Sequence, residues 1–295
     1  MAVFAAFMPM AAPAQDGVLL MAHGGDETWN QKVENAAELV RQHYPVEIAF
    51  GMADTASLAA AAEKLEARGV RRVAVVRLFI SGASFLERTE YILGQRKNLD
   101  PTQHGRSTTS GHSMPPLPIA STMEFRLSKE GLLNCAEIGQ ILKSRVAALS
   151  KEPSKETVLI LAHGTGDDAE NGLWLAAMRK QASVVKQLGR FRAIHCRTVR
   201  EDWPEKREKA VAEIRGLVEQ AQADGGRCLV IPYRLAGFGG YAEVLNGLSY
   251  EAEKTGFLPH PLIDEWILRT ARDLLTDSAE APSAPRSGDV APRRG

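Results

Sequence analysis

Two histidines stand in matching sequence contexts. His23 closes the run Val18-Leu19-Leu20-Met21-Ala22 and precedes Gly24-Gly25, while His163 closes Val158-Leu159-Ile160-Leu161-Ala162 and precedes Gly164-Thr165. Neutral imidazole ligates first-row divalent ions and takes up a proton near neutrality. Each preceding run is short, almost continuously apolar and rich in Val, Ile and Leu, the pattern of a strand buried on both faces of a parallel sheet. The histidine then emerges at the carboxyl end of its strand, the edge at which open parallel sheets receive ligands. Glycine at 24 and 164 lets the backbone turn tightly or approach a ligand closely, and Asp26, Asp167 and Asp168 are placed to cap the helix that follows.

The elements that must hold these residues repeat one grammar: apolar run, turn, amphipathic stretch, next run. That pattern predicts an α/β fold with parallel strands and right-handed crossovers. Strands are expected at Val18–Ala22, Val46–Phe50, Arg72–Leu78, Leu117–Ser121, Thr157–Ala162, Phe191–Arg197 and Arg227–Tyr233. Helices are expected at Gln31–Gln42, Ser57–Arg68, Leu86–Lys97, Glu130–Leu149, Leu173–Leu188, Pro204–Ala223, Tyr241–Lys254 and Leu262–Leu275. The segments 18–25 and 158–165 match nearly residue for residue, 140 positions apart, and Val73–Leu78 is echoed by Cys228–Tyr233. Two echoes in the same order indicate an internal duplication. The expected architecture is two similar open parallel-sheet domains with helices on both faces, residues 17–150 and 155–276, joined where Ser150-Lys151-Glu152-Pro153-Ser154 interrupts a helix.

Composition narrows the functions. A chain of 295 residues supports about two domains. Its 44% hydrophobic and 24% charged content is ordinary for a core-forming protein. Thirty-six basic and thirty-six acidic residues balance, leaving no global field to attract nucleic acid or an anionic membrane. Cysteines at 135, 196 and 228 lack the paired spacing of a zinc module or disulfide scaffold and read as buried thiols. Residues 1–14, MAVFAAFMPMAAPA, are short and apolar and end in small residues, which predicts a signal peptide and an exported, periplasmic protein; the absence of any Lys or Arg before Lys32 keeps a frayed terminus of a cytoplasmic protein as the alternative, and on either reading the mature chain has no integral membrane segment. Residues 277–295, rich in Ala, Pro, Ser and Arg, read as a disordered tail.

The strand-His-Gly opening, the stretch Phe50-Gly51-Met52-Ala53-Asp54 after the second strand, and Val75-Val76-Arg77-Leu78-Phe79 together resemble the class II tetrapyrrole metal chelatases, the sirohydrochlorin cobaltochelatases and ferrochelatases. The resemblance covers both halves and implies the tandem long form, whose halves face each other across a cleft. It implies that a divalent ion, cobalt(II) or iron(II), enters a sirohydrochlorin-type tetrapyrrole as two pyrrole N–H protons leave, as in cobalamin or siroheme biosynthesis. No nucleotide is implied, and neither a GxGxxG after the first strand nor a Walker sequence occurs. By motif position His23 is the first candidate for catalytic base and metal ligand, and His163 is its counterpart. Leu258-Pro259-His260-Pro261-Leu262 is similar to the family's His-Pro segment before its last helix, which directs a third histidine, His260, toward the same edge.

One departure matters. Members of the family usually carry a second histidine just after the third strand, but here residues 79–87 and 235–243 contain none. Glu87 and Glu243 lie in those stretches and complete a candidate metal set with His23, His163 and His260, although the first turn of a helix favours glutamate in any case. Arg77 and Arg234, at the ligand edge, are candidates for binding a substrate carboxylate. Phe238 and Tyr241, beside Gly237-Phe238-Gly239-Gly240, are candidates for packing on a macrocycle. His104 and His112 sit in a Ser/Thr/Gly-rich loop where their spacing fixes no geometry. Trp29 and Asn30 are expected to seat the next helix. The missing histidine, with the leader, opens a second reading: an exported, catalytically degenerate protein that binds metal or tetrapyrrole on the same fold.

Overall fold

The repeating grammar folds into two four-stranded sheets, seen in a computed structural model that describes residues 15–100, 115–223 and 225–276. In the first sheet β1 (Gln15–Ala22), β2 (Val46–Phe50), β3 (Val70–Arg77) and β4 (Glu124–Leu127) lie in the order β2-β1-β3-β4. In the second, β5 (Glu156–Ala162), β6 (Ala193–Thr198), β7 (Arg227–Pro232) and β8 (Glu251–Ala252) lie in the order β6-β5-β7-β8. All neighbours are parallel. The same strand order in both sheets is the duplication in three dimensions. The α/β fold with two similar parallel sheets is therefore as the sequence predicts.

The helices are α1 (Glu27–Ala36), α2 (Glu38–Arg41), α3 (Thr55–Ala67), α4 (Leu86–Ile92), α5 (Glu137–Leu149), α6 (Asp168–Ala182), α7 (Pro204–Gln222), α8 (Tyr241–Val244) and α9 (Pro261–Leu275). Alternate side chains of the central strands feed different cores, as the strand period requires. Val18, Leu20 and Ala22 share one core with Val158, Ile160 and Ala162 of the other half. Leu19 and Met21 point to a second core, under α3, and Leu159 and Leu161 to a third, under α7. One hydrophobic layer thus runs through both halves, with a separate layer on each outer face.

The shared layer is built by exchange of helices. Helix α5 packs on α6 and β7 of the second half, and α9 returns to pack on β3, α1 and α2 of the first. Buried Gln181 on α6 fastens the crossing: its Nε2 donates to the carbonyls of Leu132 (3.2 Å), Leu133 (2.8 Å) and Cys135 (2.9 Å), and its Oε1 accepts from the Tyr233 hydroxyl. At the join the buried Glu156 carboxylate accepts from Ser150 Oγ (2.5 Å) and from the backbone N–H groups of Lys151 (2.8 Å) and Glu152 (3.0 Å), and pairs with Arg227. Those donors outweigh desolvation and hold its pKa below the ordinary carboxylate value.

Two expected elements are corrected. Leu117–Ser121 is not a strand; the fourth strand of the first sheet is Glu124–Leu127. Pro115, Pro116 and Pro118 remove ladder donors, and Leu117 instead donates its N–H to Thr55 Oγ1. The helix expected over Tyr241–Lys254 stops at Val244, because Gly247 takes φ +80° and the chain turns into β8. Among the described residues no helix is long and apolar enough to cross a membrane. The leader, the tail and the histidines at 104 and 112 lie outside the described residues.

Candidate functional site

Both histidines leave their strands in the same way. Gly24 and Gly164 take φ +81° and +85°, and a Cβ on either would press on the last residue of the adjacent strand, 3.2 Å from Phe50 Cβ and 2.7 Å from Thr198 Cβ. Glycine is thus required by backbone conformation and by closeness. The turn carries the glycine carbonyl to the preceding ring: Nδ1 lies 2.9 Å from Gly24 O in His23 and 2.8 Å from Gly164 O in His163. A carbonyl only accepts, so Nδ1 carries the proton and Nε2 is left to ligate or to accept a proton. Asp26 and Asp167 then cap α1 and α6, accepting from Trp29 N and Glu170 N, both at 2.7 Å.

The surroundings differ. His23 is exposed, and Asp54, four residues beyond the end of β2, is spent on capping α3 through Ser57 N at 2.8 Å. Around His163 the equivalent loop closes in. Arg200, with φ +58°, donates its N–H to the His163 carbonyl at 2.7 Å, and this turn brings the next residues over the ring. Asp202, four residues beyond the end of β6, places Oδ2 3.2 Å from His163 Nε2, and Glu201 Oε2 stands 4.0 Å away. Trp203 meets the imidazole edge-on at 6.0 Å between ring centres.

A band of paired charges surrounds this group. Glu201 Oε1 accepts from Arg234 at 3.0 Å. Burial pulls the Arg234 guanidinium down, but Tyr241 and Glu201 outweigh it and leave its pKa above the ordinary value. Asp168 accepts from Lys206 and from Arg200, each at 2.7 Å, and both hold its pKa low. The edge therefore presents one imidazole nitrogen to two carboxylates, with cations behind them. Such an arrangement can attract a cation and receive protons. Glu201, Asp202 and Trp203 escaped the sequence reading; their signal was the position of Arg200-Glu201-Asp202-Trp203 just after the strand that flanks the histidine's own.

The other expected site residues are placed as follows. Glu87 lies in the first turn of α4, 3.5 Å from Arg96. Glu243 is exposed on α8, where with Glu201, Pro204, Arg207 and Val211 it borders an open groove of about 480 Å³. His260 caps α9, its Nδ1 accepting from Leu262 N at 3.2 Å, with Nε2 3.3 Å from Ser144 Oγ on α5. Burial, with Arg145 beside it, lowers its pKa. Among the described residues no three His, Cys, Asp or Glu side chains gather in a way that could hold a metal ion, so the five-residue metal set does not assemble.

Three substrate-binding expectations also change. Arg77 is buried, with its guanidinium donating to the carbonyls of Gly82 (2.9 Å), Ser128 (3.1 Å) and Ser84. It braces the loop after β3, and burial lowers its pKa to about 10. Phe238 and Tyr241 pack edge-on at 5.7 Å inside the outer core of the second half, and Tyr241 has no exposed surface. Neither offers a face to a macrocycle. Arg234 stays at the edge, paired with Glu201. The three cysteines are buried free thiols, with Cys135 and Cys228 pushed up to about 12 and Cys196 to about 11 by desolvation.

Comparison with known proteins follows this geometry. Residues 17–114 match the family model described as CbiX. No curated protein matches the chain. Among solved structures, SirB from Bacillus subtilis with Fe3+ is 13% identical, with coverage of 88% of this chain and 95% of that one and a TM-score of 0.60. The sirohydrochlorin chelatase SirB from Bacillus subtilis subspecies spizizenii, in complex with cobalt, is 14% identical over 88% and 95% of the two chains, with a TM-score of 0.54. A multi-domain Deinococcus radiodurans protein with structural similarity to chelatases and two additional novel domains is 17% identical, with a TM-score of 0.55. That match covers 90% of this chain and 56% of the other, so this chain spans little more than half of its length. At these identities the likeness is one of fold.

Proposed function

We propose, from the match of residues 17–114 to the CbiX family model, that the chain is a class II chelatase that inserts a divalent metal ion into a sirohydrochlorin-type tetrapyrrole at the edge that carries His163. The observation that carries this reading is the approach of the Asp202 carboxylate to His163 Nε2, 3.2 Å apart at the carboxyl end of β5. Metal insertion exchanges one divalent cation for two pyrrole protons. The protein must therefore draw the cation in and carry two protons away.

His163 is suited to the second task. Its Nδ1–H is anchored on Gly164, which fixes the ring and turns Nε2 toward the incoming substrate. Asp202 and Glu201 supply negative charge that favours the arriving cation, and Nε2 is the ring nitrogen placed to accept a pyrrole proton. A proton passed from Nε2 to the exposed Asp202 is released to solvent, which frees the ring for the second. Arg234 holds Glu201 in place. Cobalt(II) and iron(II) both accept imidazole and carboxylate donors, so the edge meets the ion as substrate and, among the described residues, forms no resident metal site. The product is a metallated tetrapyrrole of the kind used in cobalamin or siroheme formation.

The test is absorbance of sirohydrochlorin mixed with cobalt(II) or iron(II) in the presence of the purified protein. Catalysis above the uncatalysed rate, lost on His163→Ala, supports the proposal. A rate equal to the uncatalysed one, unchanged by His163→Ala and His23→Ala, overturns it. A second reading, export as a protein that binds metal or tetrapyrrole without insertion, is favoured by the absence of histidine from 79–87 and 235–243. Mass spectrometry of the mature amino terminus separates the two: a chain beginning near Gln15 in a periplasmic fraction favours binding, and an intact leader in the cytoplasm favours insertion.

A further inference from the structure

We propose that Trp203 is the surface on which the flat face of the tetrapyrrole rests beside His163; this rests on the functional reading above. A flat conjugated ring gains from lying against an aromatic face, and the aromatic pair Phe238 and Tyr241 is enclosed in the core. Trp203 is only part-buried and stands at the ligand edge. Its plane lies at 89° to that of the His163 ring, with 6.0 Å between ring centres. A macrocycle stacked on the indole would then sit within reach of Nε2, the nitrogen from which proton uptake is expected.

The indole is seated, not loose. It lies so close to the backbone of Gly166 that a Cβ there would overlap its pyrrole ring, and its main-chain N–H donates to Arg200 O at 3.1 Å. Pro204 follows immediately and opens α7. A rigid aromatic loses little freedom when it takes up a ligand. One turn further along the same helix, Arg207 makes no ion pair among the described residues and lines the groove of about 480 Å³ together with Glu201 and Pro204. A guanidinium there is placed to meet a peripheral carboxylate of a ring lying on Trp203. In the first half the position matching Trp203, five residues beyond the end of its strand, is Thr55, and Trp29 on α1 sits against Gly25 but makes no ring contact with His23 among the described residues.

The experiment is titration of metal-free sirohydrochlorin into the full chain, followed by its absorbance and by quenching of tryptophan fluorescence, with cobalt(II) affinity measured separately by calorimetry. Trp203→Ala is expected to weaken sirohydrochlorin binding about tenfold or more, with cobalt(II) affinity unchanged; Trp29→Ala is expected to leave both within about twofold. Should Trp203→Ala melt early, the Phe and Leu variants carry the test. Trp203→Phe, which keeps a ring, is expected to bind within about threefold of wild type, and Trp203→Leu about tenfold more weakly. Wild-type binding that Trp203→Ala leaves unchanged, or equal binding by the Phe and Leu variants, overturns the platform alone. Wild-type protein that binds no sirohydrochlorin overturns the functional reading and the platform with it.

Discussion

The two strand ends that carry His23 and His163 began as one design and now differ in what faces the imidazole. Both rings anchor Nδ1 on the carbonyl of the next glycine, and both glycines take the left-handed conformation. At His23 the ring is exposed and the acid at the matching position, Asp54, is committed to a helix cap. At His163 the loop after β6 folds back so that Asp202, Glu201 and Trp203 surround the ring. The backbone device that presents a nitrogen is thus common property, and the carboxylates that face the nitrogen belong, among the described residues, to one copy. The arginines diverge in the same direction: Arg77 is consumed in holding its own loop, whereas Arg234 pairs with an acid at the edge.

The comparison breaks most visibly at the histidines. His163→Ala is expected to lower the metal-insertion rate about 10³-fold, the scale of a positioned proton acceptor, while His23→Ala stays within about threefold; steady-state absorbance assays measure both. Equal losses would mean that both copies work. The arginines give the next largest effect. Arg77→Met strands the buried Ser128 carbonyl and the part-buried carbonyls of Gly82 and Ser84 and should cost about 3 kcal/mol of stability, whereas Arg234→Met should cost no more than about 1 kcal/mol. Urea unfolding followed by circular dichroism compares them. Asp202→Asn keeps the shape of the site but weakens the field at Nε2, and is expected to lower the insertion rate about tenfold without changing the melting temperature.

How much of this difference could be read beforehand follows from its range along the chain. The strands, the duplication and the emergence of both histidines at sheet edges depend on local period and on two echoed segments, and those survive in one dimension. The pairing of His163 with Asp202 depends on β6 lying beside β5, which no spacing between residues 163 and 202 reveals. Phe238 and Tyr241 looked available because they adjoin glycines, yet the turn folds them inward against Tyr250 and the outer core. His260 looked like a ligand because of its motif; the need of α9 for a capping acceptor takes its Nδ1, and α5 lies beside its Nε2. That last contact joins α5 and α9, the two helices exchanged between the halves, a feature with no local signature.

The exchanged helix supplies the smallest expected effect. Asp264 lies in the first turn of α9, where burial, with Glu265 adding to it, raises its carboxyl to about 6 despite the backbone N–H that favours the charged form. Its folded pKa exceeds its unfolded one, so the folded chain holds this proton more tightly. The resulting stability is fully present below about pH 4 and is lost as pH rises through about 6. Asp264→Asn removes the charge that must be buried above that range, so the variant should melt ~3 °C higher than wild type at pH 7.5 and together with it at pH 4. Scanning calorimetry at the two pH values measures the gap. A gap of the same size at both would show that the carboxyl does not titrate between the two pH values in the folded chain.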